Sequence, residues 1–172
     1  MGMQLIFVLE TNKKCKSDWI YIKDTIEYFY NIDANNIKFT QVYMDGKGNF
    51  KNKQKEINKN IDQYAKGASN GNSKVICCLD SDDYDINMEA IKFLNEAFKF
   101  CNDNKYELIW FCKDERVYLR KKVVKDEKKK EAGKFKANKT IRNIDAKNLV
   151  ASKYKDGTSN ILNILDKYLE RK

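Results

Sequence analysis

The chain contains no histidine. Its absence rules out Ser-His-Asp and Cys-His catalysis, along with zinc chemistry built on imidazole ligands. Any chemistry must come from carboxylates, lysines, arginines, tyrosines or a metal. Cysteine is scarce as a framework: Cys15, Cys77, Cys78, Cys101 and Cys112 are odd in number, and no pair has C-x-x-C spacing. Cys77 and Cys78 fall inside an apolar run, where cysteine behaves as a small buried hydrophobe. Neither a disulfide scaffold nor a zinc site is expected. There is no run of eighteen apolar residues, so no membrane span is expected. No basic region followed by an apolar stretch opens the chain, so no secretory signal is expected either. These absences lead us to expect a soluble, cytoplasmic protein. Proline is missing as well, in a chain rich throughout in Lys, Asn and Ile.

The 172 residues amount to one domain, and 42% apolar with 12% aromatic content is enough to build a core. Charged residues reach 34%, short of a disordered composition. The charge is uneven. Residues 113–155 hold sixteen Lys/Arg against six Asp/Glu, a net +10, whereas the whole chain is +9. A basic C-terminal part points to a polyanion, nucleic acid first. The same lysines also fit a solvated surface produced by the overall compositional bias.

Met3 to Leu9 and Lys74 to Leu79 read as buried parallel strands, being almost continuously apolar. Ile37 to Met44 alternates and reads as a strand, broken by Asp45-Gly-Lys-Gly48, which resembles a phosphate loop only loosely and reads as a tight turn. Tyr106 to Cys112 is the fourth strand. Helices are expected over Asp18 to Tyr30 with Ser17 as N-cap, Phe50 to Ala65, Asn87 to Cys101 and Ser159 to Leu169. Val117 to Val124 fits a short strand or a helix. Lys125 to Lys139 is a charged stretch, and Ile141 to Leu149 is irregular or briefly helical. The order β-α-β-α-β-α-β predicts a doubly wound parallel sheet. The expected organisation is a single α/β domain over 1–172, with a core over 1–112 and a basic extension with a terminal helix over 113–172.

Two of these strands end in acid. Glu10 follows the first, and Asp80-Ser-Asp-Asp83 ends the third. In a parallel sheet both ends lie on the edge where open α/β sheets bind ligands. Carboxylates crowded there repel one another unless a divalent cation sits between them, and hard oxygen donors suit Mg²⁺ or Mn²⁺. Glu10, Asp80, Asp82 and Asp83 are therefore the candidate metal ligands. Read singly, Glu10 fits a turn cap, and Asp80 to Asp83 fits an Asx-type turn feeding the helix at Asn87.

A glutamate ending the first strand, a glycine-bearing turn after the second and an Asp-x-Asp ending the third resemble the Toprim domain. That domain occurs in topoisomerases, bacterial primases, overcoming-lysogenization-defect nucleases and small nuclease-like proteins of prokaryotic phage defence. Among the small members the chain is most similar to the RloB-like proteins. The resemblance covers about Met3 to Cys112 and implies a magnesium-dependent nuclease or phosphoryl-transfer protein. Glu10 would then act as general acid/base or ligand, and Asp80 and Asp82 would hold the metal. Lys113, Arg116, Arg120, Lys121 and Lys122 would contact nucleic acid, either DNA or RNA. Glu115 is the candidate for a further acid, with Glu107 as its competitor. A partner protein in a two-component system also fits.

Two other classes fit parts of the pattern. A non-catalytic Toprim-like module would bind nucleic acid or a partner through the basic face. A nucleotide-sugar glycosyltransferase would use Asp80-Ser-Asp82 to hold Mn²⁺, although the chain is short for one. A receiver domain fits poorly, because Glu10-Thr-Asn12 lacks its acidic pair.

Overall fold

The computed structural model describes residues 2–67, 71–81 and 87–172. The chain is α/β. Its main sheet has four parallel strands: β1 (Met3–Leu9), β3 (Ile37–Tyr43), β4 (Asn72–Asp80) and β5 (Glu107–Phe111). They lie in the order β3-β1-β4-β5. The flanking helices are α1 (Ser17–Phe29), α2 (Gln54–Lys66), α3 (Met88–Asn104), α4 (Asp114–Leu119), α5 (Lys128–Ala137) and α6 (Ile161–Leu165). From β1 the chain moves outward to β3, then returns past β1 to β4 and on to β5. The winding direction therefore reverses between β1 and β4, and a crevice opens at such a point beyond the carboxyl ends of the strands.

Alternation along the strands sorts the core into two layers. Leu5, Phe7, Leu9, Ile76, Cys78, Ile109 and Phe111 face α1, α5 and α6. Ile6, Val8, Val42, Val75, Cys77, Leu79 and Leu108 face α2 and α3. Residues 113–172 are no appendage. Val117, Tyr118, Ala132, Phe135, Leu149, Ile161 and Leu165 all belong to the first layer. Tyr118 stacks on Tyr21 at 4.8 Å, and Phe135 meets both rings edge-on.

Gln4 is the one polar side chain of β1, and it is buried. Its Nε2 donates to Ser73 Oγ at 2.8 Å and to the Asn60 carbonyl at 3.3 Å, while its Oε1 accepts from Thr40 Oγ1 at 2.6 Å. One amide thus links three strands and α2. Gln4→Ala is expected to cost about 1–3 kcal/mol in urea denaturation, because it removes a buried amide and the partner of the half-buried Thr40 and Ser73 hydroxyls.

Several local expectations need correction. Ser17 is not the cap of α1. The cap is Lys16 in left-handed conformation, and the first-turn Asp18 supplies the side-chain acceptor instead. The helix expected from Phe50 starts as a 3-10 turn over Lys47–Lys53. The terminal helix ends at Leu165, and the chain turns so that β6 (Glu170–Arg171) pairs antiparallel with β2 (Tyr30–Asn31). Val117 to Val124 is neither one strand nor one helix, since α4 covers only its first part. The outer edge of β5 is closed by a loop: Asn160 bonds the Trp110 amide and the Leu108 carbonyl, each at 2.9 Å.

Candidate metal centre

Glu10 and Asp80 leave adjacent strands at the point where the winding reverses. Parallel pairing of β1 with β4 sets Leu9 opposite Cys78, so both acids emerge at the same rim. Glu10 Oε1 accepts from the Asp80 amide at 2.6 Å. The loop after Glu10 is anchored by Asp18. Its carboxylate accepts from the Thr11 hydroxyl, from the Thr11 amide at 3.2 Å and from the Trp19 amide at 2.8 Å. Burial, opposed by those Thr11 bonds, leaves the Asp18 carboxyl above its ordinary range. On the other side the Gly46 amide donates to the Glu10 carbonyl at 2.9 Å. Gly46 holds φ 127°, a region that disfavours any residue with a Cβ. Asp45 and Gly46 therefore form a bend that braces Glu10, while Lys47 and Gly48, expected in the same tight turn, already belong to the 3-10 segment.

The strand-four end completes the cluster. The Asp114 amide donates to Asp80 Oδ1 at 3.1 Å, and the Glu115 amide donates to Asp114 Oδ1 at 2.7 Å. Donor oxygens of Asp80, Asp114 and Glu115 all lie within 4.8 Å of one another. Glu115 is thus at the rim. Glu107 opens β5 at the opposite rim, where it bonds Lys167 at 3.0 Å and the Tyr168 hydroxyl at 2.7 Å. Sequence reasoning missed Asp114, which differs from Glu115 by one position in an unpatterned stretch. A first-turn acid directly after a strand end was the only available signal.

A cavity of about 40 Å³ lies between these groups, lined by Glu10, Thr11, Asp18, Asp80, Asp114 and Lys128 among others. It has room for an ion with a water or two. Lys128 opens α5 and reaches this cavity from the basic extension. Asp82 and Asp83, the other two candidate ligands, lie outside the described residues.

The electrostatics match a place for a cation. Burial, then the charge of Asp80, then the contacts with Glu115 push the Asp114 carboxyl well above its ordinary range, against the pull of Lys128. Burial would raise Glu115 too, but the hydrogen bond with Asp114 and the charges of Lys128 and Lys113 bring it below. Within the pair the environment thus favours the proton on Asp114 over Glu115. The sign for stability follows. The folded state keeps this proton while the unfolded chain loses it near the ordinary value of 3.8. Metal-free stability should then fall as pH rises through that value and level off above the folded one. A divalent ion displaces the proton, so apparent Mn²⁺ affinity should rise with pH, up to about tenfold per unit, and then flatten. Calorimetric titration across pH checks this, and Asp114→Asn should remove the slope.

The residues named for nucleic acid are distributed differently. Arg116 pairs with Asp156 at 3.6 Å, Arg120 donates to the Gly157 carbonyl at 3.0 Å, and Lys121 pairs with Glu131 at 3.1 Å. These three hold the extension together. Lys122 is exposed, and Lys113 stands just before Asp114 at φ 64°. Among the described residues no helix is long and apolar enough to cross a membrane. No protein-family model matches the chain, and neither a curated protein nor a solved structure shows significant similarity to it.

Proposed function

We propose that this chain is a Mg²⁺- or Mn²⁺-dependent phosphoryl-transfer protein that cleaves phosphodiester bonds in nucleic acid, a Toprim-like nuclease of the small RloB-like kind found in prokaryotic defence. One observation carries the reading. Glu10 and Asp80 come together where the sheet reverses its winding, Asp114 joins them on the wall of a cavity of ion size, and Glu115 brings a further oxygen within 4.8 Å of those of Asp80 and Asp114. The donor set is hard oxygen throughout, which suits these ions. Asp80, Asp114 and Glu115 would hold the ion, which when bound neutralises phosphate charge and lowers the pKa of a water. Glu10, fixed by the Asp80 amide, is the proton acceptor at the edge of the cluster. Lys128 sets a positive charge on the cavity wall, where a phosphate approaching from outside meets it.

The reading is tested by incubating labelled single- and double-stranded DNA and RNA with the protein under Mg²⁺, Mn²⁺ or EDTA. Cleavage with metal and none in EDTA is expected. No cleavage of any of the four substrates with either ion would contradict it. The binding-module reading has one observation in its favour: the carboxylates already bond one another's amides and so form a self-consistent turn. Binding that persists in all site variants, with no cleavage by the parent protein, would favour it.

A further inference from the structure

Helices α1 and α5 pack side by side on the first core layer, and both begin at the acidic cavity, through Ser17 with Asp18 and through Lys128. At their far ends they frame a second feature. A groove of about 330 Å³ is lined by Asp24, Glu27 and Tyr28 of α1, Lys136 of α5, and Lys139, Ile141 and Arg142 just after it. From Lys128 to Lys136 the helix advances roughly 12 Å, so the groove lies a short length of strand away from the cluster.

The cations of this groove differ from the four that tie the extension to the fold. Arg116, Arg120, Lys121 and Lys134 are engaged by carboxylates or carbonyls of the fold. Lys136, Lys139 and Arg142 make no side-chain ion pair or hydrogen bond among the described residues. Tyr28 is 41% exposed, one of the few large hydrophobic side chains left in solvent among the described residues, and Phe29 meets its ring edge-on at 4.8 Å. The floor is Ile141, which is buried. The carboxylates of Asp24 and Glu27 share the groove, with Lys23 3.6 Å from Glu27. A plain phosphate site would have no use for two carboxylates and an open aromatic face. A nucleotide uses all of these groups: the base lies on the ring, its amino groups donate to carboxylates, and the cations take phosphate oxygens.

We infer that this groove binds one unstacked nucleotide of a single-stranded nucleic acid whose neighbouring phosphodiester reaches the acidic cavity. The inference rests on the proposed nuclease reading for the direction of the strand. The occupancy of the groove is measured separately from cleavage.

The experiment is fluorescence anisotropy of a short labelled single-stranded oligonucleotide, made as DNA and as RNA, in EDTA with full-length protein. Tyr28→Ala should weaken binding about 5- to 100-fold, while Tyr28→Phe keeps it. Lys139→Ala with Arg142→Ala should weaken binding and reduce the slope of log affinity against log salt by about 1.4. Asn95→Ala, at an exposed position of α3 on the other layer, should bind as the parent does. Unchanged affinity in both groove variants would overturn the inference, as would failure of the parent to bind either strand at low salt. A parent that binds through the groove but never cleaves would remove the catalytic reading and leave the groove standing. A parent that cleaves while the groove variants bind normally would do the opposite.

Discussion

Asp80→Asn should reduce metal-dependent cleavage about a thousandfold or more while leaving the melting temperature within a few degrees of the parent. Asp80 ends β4, and its backbone is fixed by pairing with Phe111 and by the bond from its amide to Glu10. Neither contact needs the charge. Asparagine keeps an oxygen to accept from the Asp114 amide, so the turn into α4 survives. What disappears is one negative charge from a cluster whose donor oxygens lie within 4.8 Å of each other. Loss of a ligand charge removes several kcal/mol of stabilisation from the charged transition state, and about 4 kcal/mol corresponds to roughly a thousandfold in rate. Glu10→Gln should behave similarly, since its amide oxygen still accepts from the Asp80 amide. Cleavage rates at saturating Mn²⁺ together with thermal melts separate the two quantities. A large fall in melting temperature with proportionate loss of activity would mean that the cluster serves the fold.

Phe135→Ala should destabilise the whole molecule by about 3–5 kcal/mol, the usual cost of removing a buried ring. In a chain of this size that lowers the melting temperature by roughly 10 °C. Phe135 is buried between Tyr21 of α1 and Tyr118 of α4, at 5.1 and 5.5 Å. The cavity it leaves is walled by stacked rings that cannot collapse into it easily. If residues 113–172 were a loosely attached arm, the same substitution would change little in the global transition. A single cooperative urea transition displaced to lower denaturant is expected. Because α5 also carries Lys128, the variant should lose activity before it unfolds as the temperature is raised.

The parallel strands were legible because burial on both faces writes itself as unbroken apolar runs, as in Leu5 to Leu9 and Val75 to Leu79. Parallel strands put Glu10 and Asp80 at one rim without any side-chain information, whereas their standing on neighbouring strands comes from the order β3-β1-β4-β5. What escaped depended on contacts between distant segments. Asp114 acquires its role from the Asp80 carboxylate thirty-four positions earlier. Asp166 ends the terminal helix region bonded to Tyr30 and Arg171, and β6 exists only because β2 is there to pair with it. The basic segment misled differently. Its composition is right for a polyanion, but the sequence does not show that Arg116, Arg120 and Lys121 are spent on Asp156, Gly157 and Glu131, leaving the open cations farther along.

Ion binding is the most direct test of the carboxylate cluster, because it involves no assumption about the substrate. Electron paramagnetic resonance of Mn²⁺ counts bound ions as the free signal is titrated. The expected result is a saturable site in the parent protein, weakened strongly by Asp80→Asn and displaced by excess Mg²⁺. A parent protein that leaves all the Mn²⁺ signal free at millimolar concentration, with and without an added oligonucleotide, would contradict the account.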